Sequence, residues 1–171
     1  MLKRFLPDQH VKDIFEITPE SLKEKNIKGV ITDLDNTLVA WNEPHATDKI
    51  KIWLKSMEDS GIKVTIVSNN DKKRVKLFSS PLNRPYVYRA NKPLRGAFLK
   101  SSKKMDLNKE EIVVIGDQIM TDIWGGNRSG FHTILVVPIL QSDDKATKLN
   151  RKIERFILRK LEKRGWMKWQ G

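Results

Sequence analysis

Two aspartates, Asp33 and Asp35, lie two residues apart at the end of the apolar run that begins at Gly29. Side chains on a β-strand repeat every two residues, so both carboxylates would point the same way. Carboxylates that close repel each other, and a proton or a metal ion relieves the repulsion. The alternative is a pair of solvated turn residues, since Asp is common in turns. The pair therefore indicates acid–base or metal chemistry, provided that the rest of the chain supports it.

Polar residues also follow three further apolar segments. These residues are Ser68 with Asn69, Lys92, and Asp117 with Asp122 a few positions later. In a parallel sheet the carboxyl ends of the strands share one edge, where ligands bind. Each residue alone has an ordinary explanation: Ser68 and Asp117 as turn formers, Lys92 as a surface lysine, and Asp122 as a favourable acid at a helix start. Their convergence on one edge of the sheet is the argument for a site.

The elements that would position these residues alternate along the chain. Strands are predicted at about residues 28–33, 62–67, 86–88, 111–115 and 133–137. Helices are predicted at about residues 19–25, 47–60, 71–78, 94–105, 121–127 and 145–164. This alternation predicts an α/β, Rossmann-like parallel sheet with helices on both faces. Without a linker-like stretch or a repeat, residues 1–171 are expected to form a single domain.

Composition limits the chemistry and points to an anionic partner. The chain has no Cys, which excludes disulfides and thiolate chemistry. Its formal net charge is +12, and residues 145–168 alone carry ten Lys and Arg against two Glu. Such a surface suits phosphate groups, nucleic acid or acidic lipid. No apolar run has the length of a signal peptide core or a membrane span, so a cytoplasmic location is expected, which leaves contact with a membrane surface open.

Four motifs in this order resemble the haloacid dehalogenase superfamily of phosphohydrolases. They are Asp33-Leu34-Asp35-Asn36-Thr37, Ser68, Lys92, and Gly116-Asp117 followed by Asp122. A closer resemblance is to the YqeG-type subfamily of capless (subclass III) bacterial phosphatases. It is carried by Asp33 to Trp41, by Asn91-Lys92-Pro93 and by Gly116-Asp117-Gln118. That subfamily is similar to mitochondrial and plastid phosphatidylglycerophosphate phosphatases.

The resemblance implies how the polar side chains would act on a phosphomonoester. Asp33 would attack phosphorus and form an aspartyl-phosphate, which divides one difficult displacement into two easier ones. Asp35 would protonate the leaving alcohol and then activate water. Ser68 and the backbone at Asn69 would hold the phosphoryl oxygens, and Lys92 would offset the negative charge.

The resemblance also implies a Mg²⁺ ion. Asp33, the backbone carbonyl of Asp35, and Asp117 would hold it, with Asp122 as a further ligand, directly or through a water. Hard oxygen ligands of this kind suit Mg²⁺. Thr37 would support the site by hydrogen bonding.

Spacing indicates an open site. In the superfamily, cap domains are inserted after the first or the second motif. Here the corresponding segments, residues 36–67 and 69–91, are already filled by their predicted helices and strands and leave no room for a cap. An open site suits a phosphate on a large or membrane-held molecule. Trp41 lies in a segment that we call the flap, residues 38–44. It either lines the substrate entrance or anchors this flap.

The last predicted helix is basic and amphipathic. Its apolar stripe contains Leu149, Ile153, Phe156, Ile157 and Leu161, and its basic face contains Lys148, Arg151, Lys152, Arg155, Arg159 and Lys163. The helix can lie on an anionic membrane, where the tail residues Trp166 and Trp169 would add interfacial aromatics, or pack its stripe on the sheet. The favoured substrate is phosphatidylglycerophosphate. The alternatives are a soluble nucleotide, sugar phosphate or phosphoprotein, or, in another class, an RNA- or ribosome-associated binding role.

Overall fold

The computed structural model describes residues 2–140 and 148–168 and contains a six-stranded, wholly parallel sheet. The strands are β1 (Gln9–Val11), β2 (Gly29–Thr32), β3 (Lys63–Val67), β4 (Tyr86–Val87), β5 (Ile112–Gly116) and β6 (His132–Val136). Their order in the sheet is β1-β6-β5-β2-β3-β4. From β2 the chain builds outward through β3 and β4, and then returns to the other side of β2 with β5 and β6. The strand order therefore reverses between β2 and β5, which is where open sheets of this kind form a ligand crevice.

In the described residues, six α-helices connect or flank the strands. They are α1 (Pro19–Lys23), α2 (Asp48–Asp59), α3 (Lys72–Ser79), α4 (Gly96–Met105), α5 (Trp124–Ser129) and α6 (Lys148–Lys163). Local sequence sets several ends: Thr47 accepts a hydrogen bond from the Ile50 backbone N–H to begin α2, and Gly61, with φ of 75°, follows its end. No helix in the described part of the chain has both the length and the apolar character to cross a membrane.

Alternate residues of the central strands feed two separate cores. Val30 of β2 and Val113 of β5 pack on the face that carries α1, α2 and α3. Ile31 and Val114 point the other way, into a cluster with Phe98 of α4. Strands buried on both faces explain why the sequence reads as continuous apolar runs rather than as an alternation. The prediction of a parallel sheet with helices on both faces is confirmed.

The two segments where a cap could be inserted are fully described. Residues 36–67 contain a turn bridged between Asp35 and Val39, then α2 and β3. Residues 69–91 contain α3, a short 3₁₀ turn (Ser80–Leu82) and β4. Neither segment holds a further domain, as predicted, so the carboxyl edge of the sheet is uncapped there.

Three local predictions differ from the structure. The strand β1 was not predicted, because three residues with one buried side chain give no alternation to detect. The helix predicted at 121–127 begins earlier, as a π-helix (Ile119–Ile123), and continues as α5, which includes the last four predicted residues. On α6, Ile153 and Phe156 of the predicted apolar stripe are exposed, by 40% and 58%, whereas Leu158, which the stripe omitted, is buried. The predicted helix start at residue 145, the side chains of Lys148 and Leu149, and Trp169 lie outside the residues that can be described.

Candidate active site

Three buried carboxylates meet at the point where the strand order reverses. Asp33 follows β2, Asp117 follows β5, and Asp122 lies on the π-helix just beyond. One carboxylate oxygen from each lies within 4.8 Å of the other two. Three of the four sequence-predicted acids are therefore brought together on the expected edge of the sheet, whereas the Asp35 carboxylate is not part of this group.

Lys92 connects two of these acids. Its Nζ lies 2.9 Å from Oδ1 of Asp33 and donates a hydrogen bond of 2.6 Å to Oδ1 of Asp122. The Lys92 side chain is only 2% exposed. Burial by itself lowers the pKa of Lys92, but the charges of Asp122 and Asp33 outweigh it and raise the pKa above its ordinary value. Lys92 is thus a permanent cation at the centre of the acidic cluster.

The acids themselves are in an environment that disfavours their charge. Burial raises the pKa of Asp122 to about 6, although Lys92 opposes the rise. Burial also raises the pKa of Asp117 well above its usual range, while Arg151 opposes the rise and Asp33 adds to it. Close carboxylates that resist ionisation are relieved by a multivalent cation, and oxygen donors of this kind suit Mg²⁺.

Gly116 is what allows Asp117 and Asp122 to approach each other. A Cβ at this position would lie 2.2 Å from Cγ of Asp122, where no side chain fits. The backbone N–H of Gln118 also donates to Oδ2 of Asp122 at 3.2 Å. The Gly-Asp motif and the π-helix, a type of helix that is frequent at functional sites, therefore form one side of the cluster together, with Asp117 and Asp122 as its candidate metal ligands.

Ser68 and Asn69 organise the loop that carries Lys92. The Asn69 side chain accepts a hydrogen bond from the Lys92 backbone N–H at 2.7 Å and donates one to its carbonyl oxygen at 3.1 Å. Oγ of Ser68 accepts from the Asn70 backbone N–H at 3.1 Å. The structure places Ser68 and Asn69 at the end of β3, beside the Lys92 loop; their predicted contacts with a phosphoryl group remain a prediction.

Asp35 has partners that the sequence did not reveal. Arg74 donates from Nε and Nη2 to Oδ1 of Asp35 at 3.0 and 2.9 Å, and Asn70 donates from Nδ2 to Oδ2 at 3.0 Å. Arg74 also donates to the carbonyl oxygen of Pro44, so it joins the flap to α3. The sequence did not single out Arg74, because the first turn of α3 contains three cations, Lys72, Lys73 and Arg74.

Thr37 and Trp41 occupy the turn after Asp35. Thr37 Oγ1 donates to Oδ1 of Asp117 at 3.2 Å, across the reversal point. The backbone N–H of Trp41 donates to Oδ1 of Asn36 at 3.3 Å, and the residue is 40% exposed. Trp41 is thus fixed by its backbone and exposed to solvent, and its two predicted roles stay predictions.

Arg151 of α6 reaches the same cluster, and its assignment to the basic outer face was wrong. Its Nη2 donates to Oδ2 of Asp117 at 2.6 Å. Glu154 and Leu158, three and seven residues after Arg151, are both buried. Residues at these spacings share one face of a helix, so Arg151 belongs to the face of α6 that packs on the protein. The spacing was readable in the sequence, but an arginine is expected on the solvated side of an amphipathic helix unless its anionic partner is known.

Comparisons with known proteins agree with this geometry. The haloacid dehalogenase-like hydrolase family model matches residues 30–112, and a HAD-hydrolase-like model matches residues 89–161. Together the two matches include every acid of the cluster and Lys92.

Individual relatives range from 57% to 19% sequence identity. The chain is 57% identical to the "Probable phosphatase YqeG" of Bacillus subtilis, over 99% of both proteins. It is 30% identical over 94% of its length to "Phosphatidylglycerophosphate phosphatase 1, chloroplastic/mitochondrial" of Arabidopsis thaliana, of which it spans 49%. Among solved structures, the cobalt-bound deoxy-D-mannose-octulosonate 8-phosphate phosphatase of Haemophilus influenzae superposes with a TM-score of 0.56 at 19% identity, covering 80% of this chain and 90% of that one. That likeness concerns the fold alone.

Proposed function

This chain belongs to the haloacid dehalogenase-like phosphatases, and we propose that it hydrolyses phosphomonoesters with Asp33 as the nucleophile. The observation that carries the proposal is the pairing of Asp33 with Lys92 inside a cluster that also contains Asp117 and Asp122. A buried lysine beside the nucleophile lowers the cost of bringing an anionic phosphoryl group to an anionic carboxylate.

The reaction would proceed in two displacements. An oxygen of Asp33 bonds to phosphorus while the bond from phosphorus to the leaving alcohol breaks, and that alcohol takes a proton from Asp35. Water then attacks phosphorus, Asp35 takes its proton, and phosphate leaves Asp33. Arg74 and Asn70 hold the Asp35 carboxyl in place for both transfers.

The residues of the cluster fit the proposed cofactor, Mg²⁺. Asp33, Asp117 and the backbone carbonyl of Asp35 would hold it, with Asp122 as a further ligand. When bound, it would neutralise charge that develops on the phosphoryl oxygens. Ser68 and Asn69, at the neighbouring strand end, would supply hydrogen bonds to the same group.

The favoured substrate is a phosphorylated lipid head group, phosphatidylglycerophosphate, which would give phosphatidylglycerol. The name of the Arabidopsis relative supports this choice. So does the rim of the site: Trp41 and Ile139 are both exposed and both hydrogen-bond through their backbone N–H groups to Asn36, directly after Asp35. An uncapped site with exposed apolar side chains beside it suits a head group presented at a membrane surface, and a peripheral position on the inner face of the membrane follows from the proposal.

The test is a substrate panel with purified protein and Mg²⁺. It would compare phosphatidylglycerophosphate in mixed micelles with a soluble nucleotide, a sugar phosphate and a phosphopeptide, and would use Asp33→Asn as the inactive control. The proposal predicts the highest kcat/KM for the lipid and no turnover of any substrate by the variant. Preference for a soluble substrate would overturn the lipid assignment. Absence of all turnover, together with RNA binding at the same ionic strength, would favour the binding role instead.

A further inference from the structure

The helix α6 delivers a cation to a carboxylate that is proposed to bind metal. Arg151 donates from Nη2 to Oδ2 of Asp117 at 2.6 Å and from Nη1 to the Asp117 carbonyl oxygen at 3.3 Å. The Asp117 side chain is completely buried, whereas that of Arg151 is 18% exposed. The basic helix is therefore part of the site and not only a surface beside it.

Arg151 is braced by a second charged residue of the same helix. Glu154, one turn further on and only 3% exposed, has Oε2 at 3.2 Å from Nη1 of Arg151. Its Oε1 accepts a hydrogen bond from the Met120 backbone N–H at 3.3 Å, on the π-helix that carries Asp122. Arg151 and Glu154 thus form a pair that joins α6 to the side of the cluster that contains Asp117 and Asp122.

Apolar packing makes the position of Arg151 depend on the position of the whole helix. The buried side chains that seat α6 are Ile157, Leu158 and Leu161, packed on Ile119, Ile123 and Leu135. They continue the inward stripe that begins with Arg151 and Glu154. Movement of the helix away from this seat would withdraw Arg151 from Asp117.

The Arg151 contact and a divalent ion make competing demands on Asp117. Oδ2 of Asp117 accepts from Arg151, and Oδ1 accepts from Thr37. A metal ion bound to either oxygen would lie within a few Å of the guanidinium, and like charges at that distance repel strongly in a buried site. Arg151 in turn supplies positive charge that the acidic cluster needs when no ion is bound.

We propose that α6 is a gate on the metal site: its docked position, with Arg151 on Asp117, and the binding of a divalent ion oppose each other. The inference rests on the proposed metal requirement of the phosphatase reaction. Coupling between two binding events is reciprocal. The bound ion must therefore weaken the docking of α6 by the same factor by which docked α6 lowers the affinity of the site for the ion.

Metal affinity tests one direction of this coupling. Mn²⁺ binding would be titrated by electron paramagnetic resonance, with Mg²⁺ as competitor, for the wild type, for Arg151→Gln and for the matched control Arg155→Gln, whose side chain is exposed on the same helix. We expect Arg151→Gln to bind Mn²⁺ about tenfold more tightly or better, in the range of typical coupling. The control should match the wild type. Unchanged or weaker binding by Arg151→Gln would overturn the proposal and make Arg151 a residue that positions Asp117 for the ion.

Hydrogen exchange of the wild-type protein tests the other direction without any substitution. The amides of α6 should exchange faster at saturating Mg²⁺ than in its absence, while those of helix α4, which carries no residue of the acidic cluster, should not change. Unchanged or slower exchange in α6 would refute the gate. Because this experiment uses the wild-type protein, its result stands even if Arg151→Gln fails to fold. Neither measurement uses turnover, so failure of the phosphatase proposal and failure of the gate are separate results.

Discussion

Lys92 is the residue on which the charge balance of the site depends most. It is buried, and its ammonium group contacts both Asp33 and Asp122. In the metal-free protein, Lys92→Met would leave both carboxylates without this cation, and removing one partner of a buried ion pair typically costs about 3–5 kcal/mol. Urea denaturation in the presence of a chelator would measure the loss in the free energy of unfolding.

A matched control for this change is Lys100→Met on α4, where the lysine is exposed. It should change the free energy of unfolding by less than about 0.5 kcal/mol. If the two substitutions had equal effects, the contacts of Lys92 would not be the reason for its burial.

Arg74 is expected to control Asp35, the proposed acid–base residue. Its two hydrogen bonds fix one oxygen of Asp35, and its bond to Pro44 fixes the flap. Arg74→Gln should therefore lower kcat by on the order of 10²-fold, because small displacements of a catalytic group have effects of that size. Steady-state hydrolysis of an aryl phosphate would measure it. Arg84→Gln, which removes an arginine paired with Glu58 on α2, should keep wild-type turnover.

At the scale of the element, α6 has two different faces. Its inward stripe carries Arg151, Glu154 and the buried leucines, whereas Ile153 and Phe156 remain exposed among Lys152, Arg155 and Arg159. Since removal of the helix would expose the core of the protein beneath it, truncation cannot separate a lipid-binding role from a structural one. Substitutions on the exposed face of α6 can separate these two roles.

Neutralising Lys152, Arg155 and Arg159 to Gln should weaken binding to acidic vesicles. Each basic residue near an anionic surface contributes about 1 kcal/mol, so the combined effect is up to about 10²-fold. Vesicle sedimentation would measure it, with neutral vesicles as the baseline. The matched control is the same change at Lys100, Lys103 and Lys104 of α4, which removes equal charge from another exposed row. Equal losses in the two variants would mean that net charge, not α6, binds the vesicles.

The sequence predicted helices and strands best where interactions between neighbouring residues determine them. The cap at Thr47 and the apolar spacing of α2 place that helix within one residue at each end. The orientation of α6 was not predictable in the same way, because it depends on Asp117, which is distant along the chain. Arg74 was missed for the same reason: its partner Asp35 is brought close only by the pairing of β2 with β3.

At the scale of the whole molecule, the site residues were predictable because the parallel sheet collects its strand ends on one edge. To predict that Asp33 and Asp117 lie close together, it was enough that β2 and β5 are neighbours in the sheet. The contacts made by cations were less accessible, since a chain with 33 Lys and Arg offers many candidates for each acid.

Stability of the metal-free protein should fall as the pH rises through the acidic range. Burial raises the pKa of Asp122 to about 6 and that of Glu154 to about 7, so the folded protein binds protons more tightly than the unfolded chain. The stabilisation is complete below the ordinary carboxyl range, about 4, and is lost up to about pH 7. Thermal unfolding in chelator should show this decline, with a shallower decline for Glu154→Gln.

Added Mg²⁺ should offset that loss. Since the ion binds the ionised carboxylates, protons compete with it, and the rise in Tm on adding Mg²⁺ should be larger at pH 7.5 than at pH 5.5. A larger rise at pH 5.5 would mean that the ion binds elsewhere.

The most direct test of the account is to locate the phosphoryl group during turnover. The protein would be mixed with an aryl phosphate and Mg²⁺, quenched in acid, reduced with borohydride and analysed by peptide mass spectrometry. Asp35→Asn would be used in parallel to slow hydrolysis of the intermediate. The account predicts an acyl phosphate at Asp33 alone, and a loss of turnover of at least about 10³-fold in Asp33→Asn with the fold intact. A phosphoryl group on any other residue, or substantial turnover by Asp33→Asn, would contradict it.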